Sequence, residues 1–197
     1  WPMTGSRSAE DRDTASLIRA FVAVTVPEGA ARTLELLLTR LAPLGRLRWV
    51  TRAQLHVTLR FLGERTPDAI ERVKRALAPI AFPPFEVELS RAGAFPSLER
   101  PRTLWLSGTR GAAELTALAA RLEDALAEAG IPRERRPFVP HLTLARCSGE
   151  PLPPALLRAL ATVPPVSWTC CGIELMRSRL TPRGAIYSPI PLEGVAP

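Results

Sequence analysis

Two stretches of this chain alternate apolar and polar positions in the same way: Leu55-His56-Val57-Thr58-Leu59 and Pro140-His141-Leu142-Thr143-Leu144. A period of two predicts β-strands. Successive strand side chains point to opposite faces, so His56 and Thr58 share one face, and His141 and Thr143 share another. Leu55, Val57, Leu59 and Phe61 are expected on the reverse face, in a core. Apolar or alternating runs over 17–26, 47–50, 85–91, 103–107, 166–177 and 185–192 predict further strands. Helical spacing predicts helices from Pro27-Glu28-Gly29 to about Ala42, over 67–77 and over 114–129. The first should face the core with Leu34, Leu36, Leu37, Leu38 and Leu41. Pro67 suits a first helical turn, and Leu115, Leu118, Leu122 and Leu126 form an apolar stripe. A short helix is expected within 151–163, and loops over 93–102 and 178–184.

Short strands outnumber helices and hairpins fit the spacing, which predicts an α+β fold with antiparallel sheets. The two motifs lie 85 positions apart, from His56 to His141. That spacing suggests two halves, each giving one motif strand, with a site in the cleft between them. Residues 1–16 are polar and charged with little to bury, and read as a disordered tail. Residues 17–192 read as one bilobal domain, and 193–197 as a C-terminal tail.

The chain has only two histidines, and both fall in the same pattern. One histidine in a strand is ordinarily structural. A Thr beside each, on the same face, has no packing reason to recur, so the pair reads as one shared site. A neutral imidazole can take a proton from water while a protonated one gives a proton to a leaving group. The threonine hydroxyls can hold phosphate oxygens. This is chemistry for in-line hydrolysis of a phosphodiester without a metal. Arg146 would face away from Thr143 by strict alternation, but a bulge near Ala145 would turn it toward a phosphate, which its planar guanidinium suits.

Composition narrows this only partly. The chain is 46% hydrophobic and 23% charged, ordinary for a globular protein. Its net charge of +7 and pI near 10.8 favour polyanions, although arginines solvated on helix faces would give the same totals. Cys147, Cys170 and Cys171 lack the spacing of a disulfide framework or a zinc site. No apolar run is long enough to span a bilayer, and the start does not read as a signal peptide, so a cytoplasmic monomer without cofactor or metal is expected.

At these residues the sequence resembles the RNA 2′,3′-cyclic phosphodiesterases of bacteria and archaea, also called 2′-5′ RNA ligases, of the two-histidine phosphoesterase superfamily. The resemblance rests on His56-Val57-Thr58-Leu59 and His141-Leu142-Thr143-Leu144 with their flanks. It extends to Arg19-Ala20-Phe21-Val22-Ala23-Val24 and to Ser178-Arg179-Leu180-Thr181-Pro182-Arg183-Gly184, covering about 17–192. It implies a bilobal α+β fold, two antiparallel sheets with flanking helices around a central cleft. It implies metal-independent hydrolysis of a terminal 2′,3′-cyclic phosphate on RNA, or of cyclic nucleotides, to a 2′-phosphate. His56 and His141 would be the acid–base pair, Thr58 and Thr143 would bind the phosphate, and Arg146 would contact phosphate or base. A 2′-phosphate product needs O3′ to leave, with His141 as base toward water and His56 as acid. Phe21 is a candidate base or ribose contact, with core packing as its other reading. ATP-dependent ligation would need a lysine for the covalent intermediate, and Lys74 is the only one; any joining would be reversal in the same site. Two other readings stay open: an RNA- or nucleotide-binding module without turnover, and an enzyme for small substrates such as ADP-ribose cyclic phosphate.

Overall fold

A computed structural model describes residues 16–192 of the chain. Among them lie strands β1 (Ile18–Thr25), β2 (Arg48–Trp49), β3 (His56–Arg65), β4 (Phe85–Leu89), β5 (Arg91–Phe95), β6 (Thr103–Ser107), β7 (Leu142–Arg146), β8 (Val166–Cys170), β9 (Glu174–Thr181) and β10 (Gly184–Ile190). The helices are α1 (Glu28–Leu41), α2 (Pro67–Leu77), α3 (Ala112–Glu128) and α4 (Pro154–Leu160). The expected tails fall largely outside the described residues.

The described strands pair antiparallel throughout. One sheet runs β10-β9-β1-β3-β7-β6-β5, with β2 also on β7, and β4 and β8 form a separate ladder. The large sheet is two half-sheets joined by a single pair between the motif strands, Val57 opposite Leu142. The half-sheets are not the halves of the chain. β9 and β10 return to β1, while the β5–β6 hairpin lies against β7.

One face of the sheet carries the core. Val22, Val57, Leu62, Leu104, Leu142, Leu144 and Leu175 pack there with helix residues such as Leu34, Leu41, Val73 and Leu122. Burying such side chains stabilises the fold by about 1.5–3 kcal/mol each. α2 begins as its sequence dictates: Pro67 sits at N1, and the Thr66 hydroxyl accepts from the Ala69 N–H at 3.3 Å.

Several expectations need correction. Leu36 is 64% exposed, because it lies two residues from the Leu34 stripe and on the opposite side of α1. The run over 166–177 is two strands, split where the chain leaves β4 for β1. Part of the expected loop over 93–102 belongs to β5, whose Ala-Gly-Ala centre has weak strand propensity. Most of the expected loop over 178–184 is hairpin strand, and Leu180 there is 67% exposed, so no burial pattern announced it. Phe61, expected in the core, is 52% exposed.

Candidate active site

The face opposite the core carries both motifs. From the Val57–Leu142 pair, the antiparallel register sets His56 across from Thr143, and Thr58 across from His141. The two imidazoles and two hydroxyls therefore alternate around one point where the half-sheets meet.

Each imidazole is pinned in the same way. The Nδ1–H of His56 donates to the Gln54 carbonyl at 2.7 Å, and that of His141 donates to the Val139 carbonyl at 2.7 Å. A carbonyl can only accept, so Nδ1 carries the proton and each Nε2 is left for chemistry. The Thr58 hydroxyl donates to His56 Nε2 at 2.9 Å. Gln54 is itself fixed: it closes a capping box with Thr51, and its Nε2 donates to the Ala185 carbonyl at 2.7 Å. That bond ties the turn before His56 to β10.

Aromatic rings wall each histidine. Phe21 lies 4.8 Å from the His56 ring, and Tyr187 meets it edge-on at 5.2 Å. Phe95 meets His141 edge-on at 4.9 Å, with Trp105 at 6.4 Å. Burial is the main cause that pushes both histidine pKa values below the ordinary value; the carbonyl bonds oppose it. The Arg146 charge lowers both further, and the His141 charge lowers His56. Arg146 thus lies within electrostatic reach of both rings.

Bulges explain where Arg146 and Phe61 end up. Between the pairs Leu104–Ala145 and Trp105–Thr143 the register slips by one residue at Leu144. That slip turns Arg146 to the face of Thr143, where its guanidinium donates to the Thr103 hydroxyl at 2.7 Å. β3 slips equally at Leu59, between Val22–Arg60 and Ala23–Thr58. Phe61 therefore occupies, five residues after His56, the place Arg146 occupies five residues after His141. Its ring lies 6.1 Å from Phe21. Phe21 is only 2% exposed and packs on His56, whereas Phe61 offers an open ring.

Among the described residues, no three His, Cys, Asp or Glu side chains gather to hold a metal ion. No helix among them is long and apolar enough to cross a membrane. Lys74 is paired with Glu71 on α2 at 3.0 Å.

The sequence model of the 2′-5′ RNA ligase superfamily matches residues 17–182. The chain belongs to this superfamily. A curated relative from Aeropyrum pernix, named an RNA 2′,3′-cyclic phosphodiesterase, is 39% identical over 135 residues, covering 67% of this chain and 77% of its own. The crystal structure of TT0787 from Thermus thermophilus is 32% identical, with a TM-score of 0.72 over 90% of this chain and 99% of that one. Escherichia coli LigT complexed with 3′-AMP is 26% identical, with a TM-score of 0.71 over 89% and 97%. The two-histidine phosphoesterase fold, α+β with antiparallel sheets, is thus shared with these superfamily members.

The structure brings together the two histidines, two threonines and Arg146 that the sequence singles out, and sets Gln54, Phe95, Trp105 and Tyr187, which it does not single out, around them. Three are strand aromatics whose neighbours are distant in sequence. Gln54 carried a local signal, since Thr51 and Gln54 have capping-box spacing.

Proposed function

We propose that this protein hydrolyses the terminal 2′,3′-cyclic phosphate of RNA to a 2′-phosphate, in the cytoplasm, as a monomer and without a metal. The observation that carries this is the pair of pinned imidazoles, His56 opening β3 and His141 one residue before β7, each with a threonine hydroxyl across from it. The names of the superfamily relatives support the substrate class. Cyclic mononucleotides are the smallest substrates of the same chemistry.

His141 Nε2 takes a proton from water as the water oxygen bonds to phosphorus. The bond from phosphorus to O3′ breaks, and His56 Nε2–H gives its proton to O3′. The phosphate stays on O2′. Thr58, Thr143 and Arg146 hold the non-bridging oxygens where charge accumulates. Both imidazoles rest with lowered pKa, and an arriving phosphate anion offsets the Arg146 charge and favours protonation of the acid. Phe21 backs the His56 ring, and Phe61 offers its face to the base. Ligation would run the same steps with a ribose hydroxyl in place of water, with no adenylated lysine.

The test is an RNA ending in a 2′,3′-cyclic phosphate, incubated in EDTA and followed by phosphorus NMR. The expected product is the 2′-phosphate alone. Binding without turnover would contradict the proposal and leave a nucleotide-binding module.

A further inference from the structure

Arg146 has a neighbour of the same charge. In the β2–β7 register Arg48 lies directly opposite Arg146. Opposite residues in an antiparallel pair share a face, so Arg48 belongs to the face of the histidines. The next residue agrees with that orientation. Trp49 packs against the core on the reverse side, and its indole N–H donates to the Gly45 carbonyl at 3.1 Å.

Like charges directly opposite destabilise a sheet unless something neutralises them. Among the described residues neither arginine has a carboxylate partner. β6 takes one edge of β7, so β2 and β3 share the other, with β3 at Leu142 and β2 at Arg146. Arg48 therefore lies further along the same edge than the histidines, on the far side of Arg146 from β6. A depression lined by Arg100 and Arg102 is a weaker anion site, because Glu99 and Glu150 line it too.

We propose that Arg48 binds the phosphodiester that precedes the terminal phosphate in an RNA strand, with Arg146 between the two anions. This rests on the functional reading above. It makes Arg48 a determinant of chain length: a polynucleotide end touches it, and a cyclic mononucleotide does not.

The experiment compares kcat/KM for wild type, Arg48→Ala and Arg48→Lys on a 2′,3′-cyclic mononucleotide and on a trinucleotide with the same end, over a range of KCl. With Arg48→Ala, the trinucleotide value should fall about tenfold through KM, while the mononucleotide value stays within about twofold. The slope of log kcat/KM against log salt should become shallower by about 0.7 on the trinucleotide, as for one lost phosphate contact. Arg48→Lys should recover part of the loss. Equal losses on both substrates, or an unchanged trinucleotide value, would overturn the inference. A wild type inactive on both substrates would instead sink the functional reading and this inference with it.

Discussion

His56 and His141 are poised by their surroundings more than by their own chemistry. Burial and the Arg146 charge lower both pKa values, so in the free enzyme each ring loses its proton below the ordinary histidine value of about 6.5. The base must be neutral and the acid charged, so both limbs of the kcat/KM profile move down in pH. The bell, which belongs to the coupled pair, should peak on the acid side of about pH 6.5. Arg146→Gln removes one cause of the lowering, so both limbs should move to higher pH while kcat/KM falls. A profile unmoved by that substitution would contradict the placement of Arg146. The two roles can also be told apart. A substrate whose 3′ leaving atom is sulfur needs no acid, so it should restore turnover to His56→Ala and not to His141→Ala.

At the scale of elements, strand alternation puts His56 with Thr58 and His141 with Thr143 on one face, as the register does, because each motif is short and regular up to its bulge. It misplaced Phe61 because Leu59 is an extra residue in β3, a slip that nothing local announces. The matching slip at Leu144 brings Arg146 round, and there the arginine itself prompted the expectation of a bulge. After its bulge, β3 buries Arg60, 8% exposed, against Glu123 on α3. Arg60 also donates to the carbonyls of Phe61 and Pro132, joining β3 to the chain that leads into His141. Glu123→Leu leaves that guanidinium buried without its partner and should cost about 3 kcal/mol in urea unfolding. Adding Arg60→Met should return part of the loss. Gly93 lies opposite Trp105, and a Cβ there would overlap the indole ring. Gly93→Ala should therefore displace the ring beside His141, lowering kcat and altering the near-ultraviolet circular dichroism together.

For the whole molecule, the sequence showed an α+β chain with two related motifs but not how its ends interleave. Motif spacing suggests two consecutive halves. The register instead sends β9 and β10 back to β1 and lays the β5–β6 hairpin against β7, and the β1–β9 and β6–β7 pairings depend on contacts remote in sequence. The result is that both motif strands sit at the inner edges of two half-sheets and meet at Val57 and Leu142. The decisive measurement is turnover of an RNA ending in a 2′,3′-cyclic phosphate, in EDTA, by wild type, His56→Ala, His141→Ala and the double variant. Each single substitution should lower kcat by about 10²–10⁴-fold with unfolding midpoints retained, and the double should be little worse, because the two rings act on one phosphorus. Wild-type turnover in either single variant would contradict the account.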